Sequence, residues 1–222
     1  GVLRDLAQKH KVDRIMHLAV PGLGALDAAG KVASRLNVTV ILEPGSDLAP
    51  PRLMNVPVFT GKVTGAEGPL GEFKVSVEDF APAQASSKEA LSFDANGQEG
   101  TSEADLILDL RGGTPLFTAP DKRDGYFNPD PGNPALIGDA LLELTEMVGT
   151  FEKPRYVDYD SSICAHSRST ITGCTRCIDH CPTGAITPDT VNERVSLDPY
   201  ICAGCGTCAS VCPTGAAKYT LP

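Results

Sequence analysis

The 222-residue sequence has no tryptophan, no cysteine before position 164 and no phenylalanine after position 151. No apolar run approaches the ~20 residues that a membrane-spanning helix needs. The first residues, GVLRDLAQKHK, lack the apolar centre of a secretory signal. No stripe of Lys and Arg is present, and the formal charge is -9. That balance speaks against nucleic acid or an anionic membrane as a partner, because both need clustered basic groups. No Ser/His/Asp or Cys/His nucleophile set can be picked out. The chain begins at Gly1 rather than Met, which leaves room for an upstream segment in a longer protein.

The absences also mark a boundary. Residues 1–150 hold 21 acidic and 13 basic side chains, whereas 151–222 hold 7 and 6. The acidity therefore sits in the first segment, where it favours solubility and basic partners. All seven phenylalanines lie at or before Phe151, and all eight cysteines at or after Cys164. A core built from ordinary side chains gives way to one built around something else near 151–158. The expected domains are 1–150, an α/β domain of open role, and 151–222.

The first segment alternates between β and α patterns. RIMHLAV (Arg14 to Val20) suits a strand, Ala25 to Leu36 has helical composition, and VTVIL (Val38 to Leu42) is β-branched and apolar. Together they predict a β-α-β unit with a parallel strand pair. PVFTGKV and EFKVSVEDF flank the Gly-rich GAEGPLG and predict an antiparallel hairpin, so the sheet is mixed. ADLILDL (Ala104 to Leu110) is a buried strand that ends in the turn residues RGGTP. After the loop NPDPGNP, Asn133 is a good N-cap and Pro134 suits the first helical position. Ile137, Leu141, Leu144 and Val148 then share one helix face, and Gly149 stops the helix.

One motif in this segment points to a ligand. PGLGALD places Gly22 and Gly24 at G-x-G spacing between strand and helix, and Glu43 ends the next strand where a ribose-binding acid would sit. Asp27 occupies the third glycine position, so an ordinary tight turn competes with a nucleotide site. The segment DLRGGTP could likewise hold an anion or simply turn the chain.

The cysteines form an internal repeat. ICAHSRSTITGCTRCIDHCPTGA (from Ile163) and ICAGCGTCASVCPTGA (from Ile201) share both ends, but the first carries seven extra residues, HSRSTIT, between its first two cysteines. Cys164 aligns with Cys202, Cys174 with Cys205, Cys177 with Cys208 and Cys181 with Cys212. Between the copies, AITPDTVNERVSLDP predicts a short hairpin around a Pro188-Asp189 turn. The run Cys202, Cys205, Cys208, Cys212, Pro213 is the C-x2-C-x2-C-x3-C-P spacing of bacterial iron-sulfur binding, in which the fourth cysteine reaches the other cluster. Applied to both copies, that rule gives Cys164, Cys174, Cys177 and Cys212 to one [4Fe-4S] cluster. Cys202, Cys205, Cys208 and Cys181 go to a second. Zinc has no use for a third cysteine at this spacing with a following Cys-Pro. Disulfides would need an oxidising compartment.

This segment, Asp158 to Tyr219, resembles the bacterial two-[4Fe-4S] ferredoxin domain, an α+β fold of two pseudo-symmetric cluster-binding halves. It departs from that pattern at Ile171, where the family has cysteine three positions before Cys174. The resemblance implies one-electron cycling of two close clusters. It also implies an electron carrier, or the electron-transfer part of a larger oxidoreductase, rather than a catalyst by itself. Across the whole chain the arrangement is similar to bacterial iron-sulfur proteins that accompany redox enzymes such as formate dehydrogenase. A redox partner protein and a cytoplasmic location are expected. Two alternatives stand beside this reading: a redox enzyme with a nucleotide or flavin at Gly22 to Asp27, and an adaptor or assembly protein whose clusters only hold the fold.

Smaller assignments follow. His166 and Arg168 tune a cluster or meet a partner, or else belong to a solvated covering loop. His180 substitutes as a ligand only if Cys164 does not bind. Tyr200 and Tyr219 are read as packing residues rather than electron relays. Gly173, Gly184, Gly204, Gly206 and Gly215 let the backbone approach the sulfurs.

Overall fold

The computed structural model describes residues 11–12, 14–19, 25–45, 56–84, 91–93, 98–166, 173–192 and 194–220. These divide into two compact units, one within 10–118 and 124–150, the other comprising 151–220 together with the short segment 119–123. Among the described residues no helix is long and apolar enough to cross a membrane.

The first unit runs β1 (Lys11–Val12), β2 (Arg14–Ala19), α1 (Ala25–Val32), β3 (Asn37–Leu42), β4 (Val58–Glu67), β5 (Phe73–Pro82), β6 (Gln98–Ala104), β7 (Leu106–Leu110), β8 (Tyr126–Phe127), α2 (Pro134–Glu146) and β9 (Gly149–Thr150). Seven strands form one mixed sheet in the order β6-β5-β4-β3-β2-β7-β8. β2 pairs in parallel with β3 and β7, while β4, β5 and β6 pair antiparallel. Parallel strands are covered on both faces, so they read as continuous apolar runs, and all five residues of β7 are buried. Alternation along the strands then sorts the side chains. Val38, Val40, Leu106 and Leu108 meet Ala29 and Val32 of α1 and Leu141 and Leu144 of α2. Ile41 and Ile107 point to the other face, where they join Phe73, Phe117 and Tyr126. The Phe117 and Tyr126 rings meet edge to face with centroids 5.0 Å apart.

Several elements differ in extent from the expectation. β4 continues through Glu67, so the hairpin turn is confined to residues 68–72. Gly68 adopts φ +97, and a Cβ there would lie 2.2 Å from the Glu72 carbonyl oxygen, which restricts the position to glycine. The polar β6 carries no apolar alternation and pairs antiparallel with β5 at the edge of the sheet, with Ala104 at its end buried in the core. In α2, the Asn133 side chain accepts from the amides of Ala135 and Leu136. Leu141 and Leu144 are buried, but Val148 is exposed because the helix ends at Glu146 with Met147 as its cap.

At the carboxyl end of β7 a polar network closes the sheet. Arg111 donates through Nε to Oδ1 of Asp109 and through Nη2 to Oδ2, both at 2.9 Å. Tyr126 donates its hydroxyl to Oδ2 at 2.8 Å and accepts the Leu116 amide at 3.0 Å. Burial, and then the negative charge of Asp109, push the Tyr126 phenol up, so it stays a protonated donor. Burial opposes the Arg111 charge, but the hydrogen bond to Asp109 and the nearby Asp109, Tyr126 and Glu43 outweigh it and hold the guanidinium above its usual range. The Asp109 side chain is fully buried and Arg111 nearly so.

The second unit comprises β10 (Val157–Tyr159), a 3-10 turn (Ser161–Ile163), α3 (Arg176–Asp179), β11 (Ile186–Asp189), β12 (Arg194–Leu197), α4 (Thr207–Val211) and β13 (Ala217–Tyr219). β10 pairs antiparallel with β13, and β11 with β12. Pro188 lies inside β11, opposite Val195, and not in the turn. The turn falls after Asp189, whose carboxylate accepts the Asn192 amide and side chain and the Arg194 Nε, fixing the reversal two residues later than expected. Segment 119–123 packs in this unit, with the Asp121 amide donating to the Pro182 carbonyl at 2.9 Å.

Breaking a buried ion pair from one side leaves an uncompensated charge. Asp109→Asn is expected to destabilise the first unit by about 3–5 kcal/mol. The double substitution with Arg111→Met is expected to recover most of that loss. Urea unfolding of the full chain checks both values.

Candidate metal centre

The second cysteine copy is built on turns that only certain residues allow. Asp198 begins it, its carboxylate accepting the amides of Tyr200 and Ile201 while its carbonyl accepts the Cys202 amide. Gly204 takes φ +72 over the Tyr156 ring, and a Cβ there would lie 2.8 Å from that ring. The amide of Gly204 consequently faces back to the Cys202 Sγ, 3.5 Å away. Gly206, also at φ +72, turns the chain into α4, which carries Cys208. Pro213 disfavours helix at the preceding residue. Cys212 therefore leaves α4 in an extended conformation, φ -73 and ψ 111, and its side chain departs from the three before it.

The first copy follows a different path. Asp160 caps the 3-10 turn, accepting the Ser162 amide at 2.9 Å and the Ser162 hydroxyl at 2.6 Å. Those hydrogen bonds hold the Asp160 carboxyl below its usual range. Cys164 follows as the cap of that turn and is buried. His166 is also buried, and its Nδ1 lies 3.0 Å from the Cys174 carbonyl oxygen. Cys177 sits on α3 and Cys181 just beyond it, with the Thr183 hydroxyl 3.7 Å from its sulfur. Cys212 has the same relation to Thr214, also at 3.7 Å.

Cys164, Cys174 and Cys177 of the first copy line one pocket with Cys212 of the second. Burial pushes the Cys177 thiol up, and Cys164, Cys174 and Cys212 push it further. Burial likewise raises Cys208 to about 11, opposed by the Ala209 amide and reinforced by Cys202, Cys205 and Cys181. Cys202 is raised mainly by burial, with Cys181 and Cys205 adding to it and the Gly204 amide and Lys153 opposing. Each group of three thiols thus has the fourth cysteine of the other copy as its neighbour. Cys212 differs in sign: burial pushes it up, but the Ala217 amide, the Thr214 hydroxyl and amide and the Ala216 amide together hold it below its usual range. That corner is built to receive a negative sulfur.

A set of four thiols is the donor chemistry of an iron-sulfur cluster. Raised thiols at Cys177, Cys202 and Cys208 oppose thiolate formation in the metal-free chain, and positive iron removes the opposition. The donor set therefore fits the group. Cys205 is exposed, and the open surface pocket beside it is lined by Thr207, Ser210 and Tyr219 among others, with no charged side chain.

Other sequence candidates fall elsewhere. His180 is exposed and its Nδ1 lies 2.9 Å from the Arg176 carbonyl oxygen. Tyr219 is exposed, with its ring 3.2 Å from the position a Cβ on Gly206 would take. Gly22, Gly24 and Arg168 lie outside the described residues. Glu43 follows β3 and adds its charge to the surroundings of Arg111, and Asp27 is exposed in the first turn of α1. Spacing had no means to reveal Lys153, whose Nζ donates to the Tyr200 carbonyl at 2.8 Å across 47 residues and whose charge favours the Cys202 thiolate. The threonines of the repeated CPTGA were visible, and their value lies in the hydroxyls beside the sulfurs.

Gly204→Ala combines a strained φ with a clash on Tyr156. It is expected to cost the cysteine-rich unit about 1–3 kcal/mol. Adding Tyr156→Ala to the same chain removes the clash but not the strain, so the double variant should lose less than the sum of the two singles in thermal unfolding of the holoprotein.

A search of curated proteins gave no match to the chain. Residues 172–216 match the 4Fe-4S dicluster domain. The matched span contains seven of the eight cysteines and begins beyond Cys164. The cysteine-rich unit is therefore an iron-sulfur domain of the ferredoxin type.

Proposed function

We propose that this chain carries electrons through two [4Fe-4S] clusters held in two pseudo-symmetric halves. Cys164, Cys174, Cys177 and Cys212 hold one cluster, and Cys202, Cys205, Cys208 and Cys181 hold the other. The observation that carries the reading is the crossing of the fourth cysteines: Cys212 stands among the thiols of the first copy and Cys181 among those of the second.

Each cluster, when bound, supplies one-electron cycling between adjacent oxidation states. The chain's own residues do the rest. Eight thiolates fix the sulfur ligands. The Gly204 amide, the donors around Cys212 and the Thr183 and Thr214 hydroxyls offset sulfur charge. Val157, Ile186, Val195, Ala216 and Ala217 exclude water. The exposed Cys205 edge is where a partner protein approaches to exchange electrons. The α/β unit docks the donor or acceptor, and the acidity of residues 1–150 suits a partner with a basic face. In this reading the chain is the iron-sulfur component of a bacterial oxidoreductase of the formate dehydrogenase kind, and it works in the cytoplasm.

Anaerobic purification should yield about eight iron and eight sulfide per chain. In Cys212→Ser protein, mild iron removal followed by alkylation should label Cys164, Cys174 and Cys177 before the cysteines of the second copy. Labelling of Cys202, Cys205 and Cys208 first would show that each copy binds its own four, and would overturn the crossed assignment.

A further inference from the structure

The two cysteine copies do not approach their clusters in the same way. Cys202 and Cys205 are three positions apart, whereas Cys164 and Cys174 are ten apart. A longer connection leaves its ends freer to separate. His166, two positions after Cys164, lies on that connection with only 7% of its surface exposed. Its Nδ1 is 3.0 Å from the carbonyl oxygen of Cys174. A carbonyl can only accept, so Nδ1 carries a proton and the imidazole donates. A buried ring of this size must be satisfied, and here the partner is the backbone of the second ligand. Cys164 itself is exposed to the same small extent, 7%. In the second copy the connection is short, and the amide of Gly204, the residue before Cys205, donates to the Cys202 sulfur at 3.5 Å.

We infer that His166 is a positioning residue for Cys164: its imidazole staples the first ligand to the backbone of Cys174 and does the work that the short C-x2-C step does in the second copy. This rests on the reading that Cys164 is a corner of the first cluster and deepens it. His166 ligates nothing in this account. It acts by limiting how far Cys164 moves from the iron it holds, so its loss is felt at one corner of one cluster.

The test uses the full-length holoprotein as wild type, His166→Leu and His166→Asn, titrated anaerobically with ferricyanide. Ferricyanide takes one electron from a [4Fe-4S]2+ core, which then releases one Fe2+ and remains as [3Fe-4S]+. The three-iron EPR signal gives the rate, and alkylation with mass mapping identifies the thiol set free. His166→Leu should convert roughly 3- to 10-fold faster than wild type, the range for losing one buried hydrogen bond, and the freed thiol should be Cys164. His166→Asn keeps an amide donor near the place of Nδ1 and should stay within about 2-fold of wild type. Equal rates for His166→Leu and wild type, an Asn variant as fast as Leu, or a freed thiol other than Cys164 would each overturn the inference. If His166→Leu assembles no cluster, the Asn variant decides: wild-type conversion supports the staple, and loss of the cluster overturns it. Wild-type protein with about seven iron before titration sinks the Cys164 ligand assignment itself, which separates that failure from the failure of the staple.

Discussion

Four negative sulfurs cannot share a desolvated space unless something positive lies between them. The cysteine-rich unit is organised by that constraint. Burial raises the thiols of Cys177, Cys202 and Cys208, and neighbouring cysteines raise them further, so the folded arrangement is electrostatically unfavourable for thiolates without iron. Its apolar complement is small: among the described residues Val157, Ala185, Ile186, Val195, Ala216 and Ala217 are the buried apolar side chains besides Cys164 and Cys208. The α/β unit is different in kind. Two faces of its sheet are covered by leucine, valine and aromatic side chains, and the buried ion pair of Asp109 with Arg111 is satisfied by several hydrogen bonds. One unit carries its own core, whereas in the proposed reading bound clusters would supply much of the core of the other.

The crossing of Cys181 and Cys212 makes that dependence mutual. Each Cys-Pro step follows a short helix, and in the proposed ligand assignment each sends one thiol to the neighbouring set, so that neither copy would be complete alone. An insertion between the first two ligands is cheap on these terms. Lengthening the connection from three positions to ten costs about 1 kcal/mol of closure entropy, which a single buried hydrogen bond such as that of His166 can offset.

Much of this could be read from the residues, because the strongest signals are local. The spacing of Cys202, Cys205, Cys208 and Cys212 is a statement about chain reach, and Asn133-Pro134 states where a helix begins. The apolar runs of β3 and β7 announce strands covered on both faces. What escaped is set by distant partners. The polar β6 is a strand only because β5 offers it an edge, and β8 only because β7 does. Val148 fits the apolar spacing of α2 but lies past its end. The reversal after Asp189 is decided by side-chain hydrogen bonds to Asn192 and Arg194, against the turn preference of Pro188-Asp189. Lys153 reaches the Cys202 region from a connecting segment, and no spacing rule links them. His166 stood in the sequence as one residue of an insertion, and its burial against Cys174 gives it a place in the site.

The central claim is that two clusters lie side by side in one small unit. A reductive EPR titration of anaerobically prepared protein tests it most directly. Two clusters in the crossed arrangement predict a signal that broadens through magnetic interaction as reduction proceeds and integrates to about two spins per chain. A simple signal that saturates at about one spin, with no interaction at full reduction, would contradict the account.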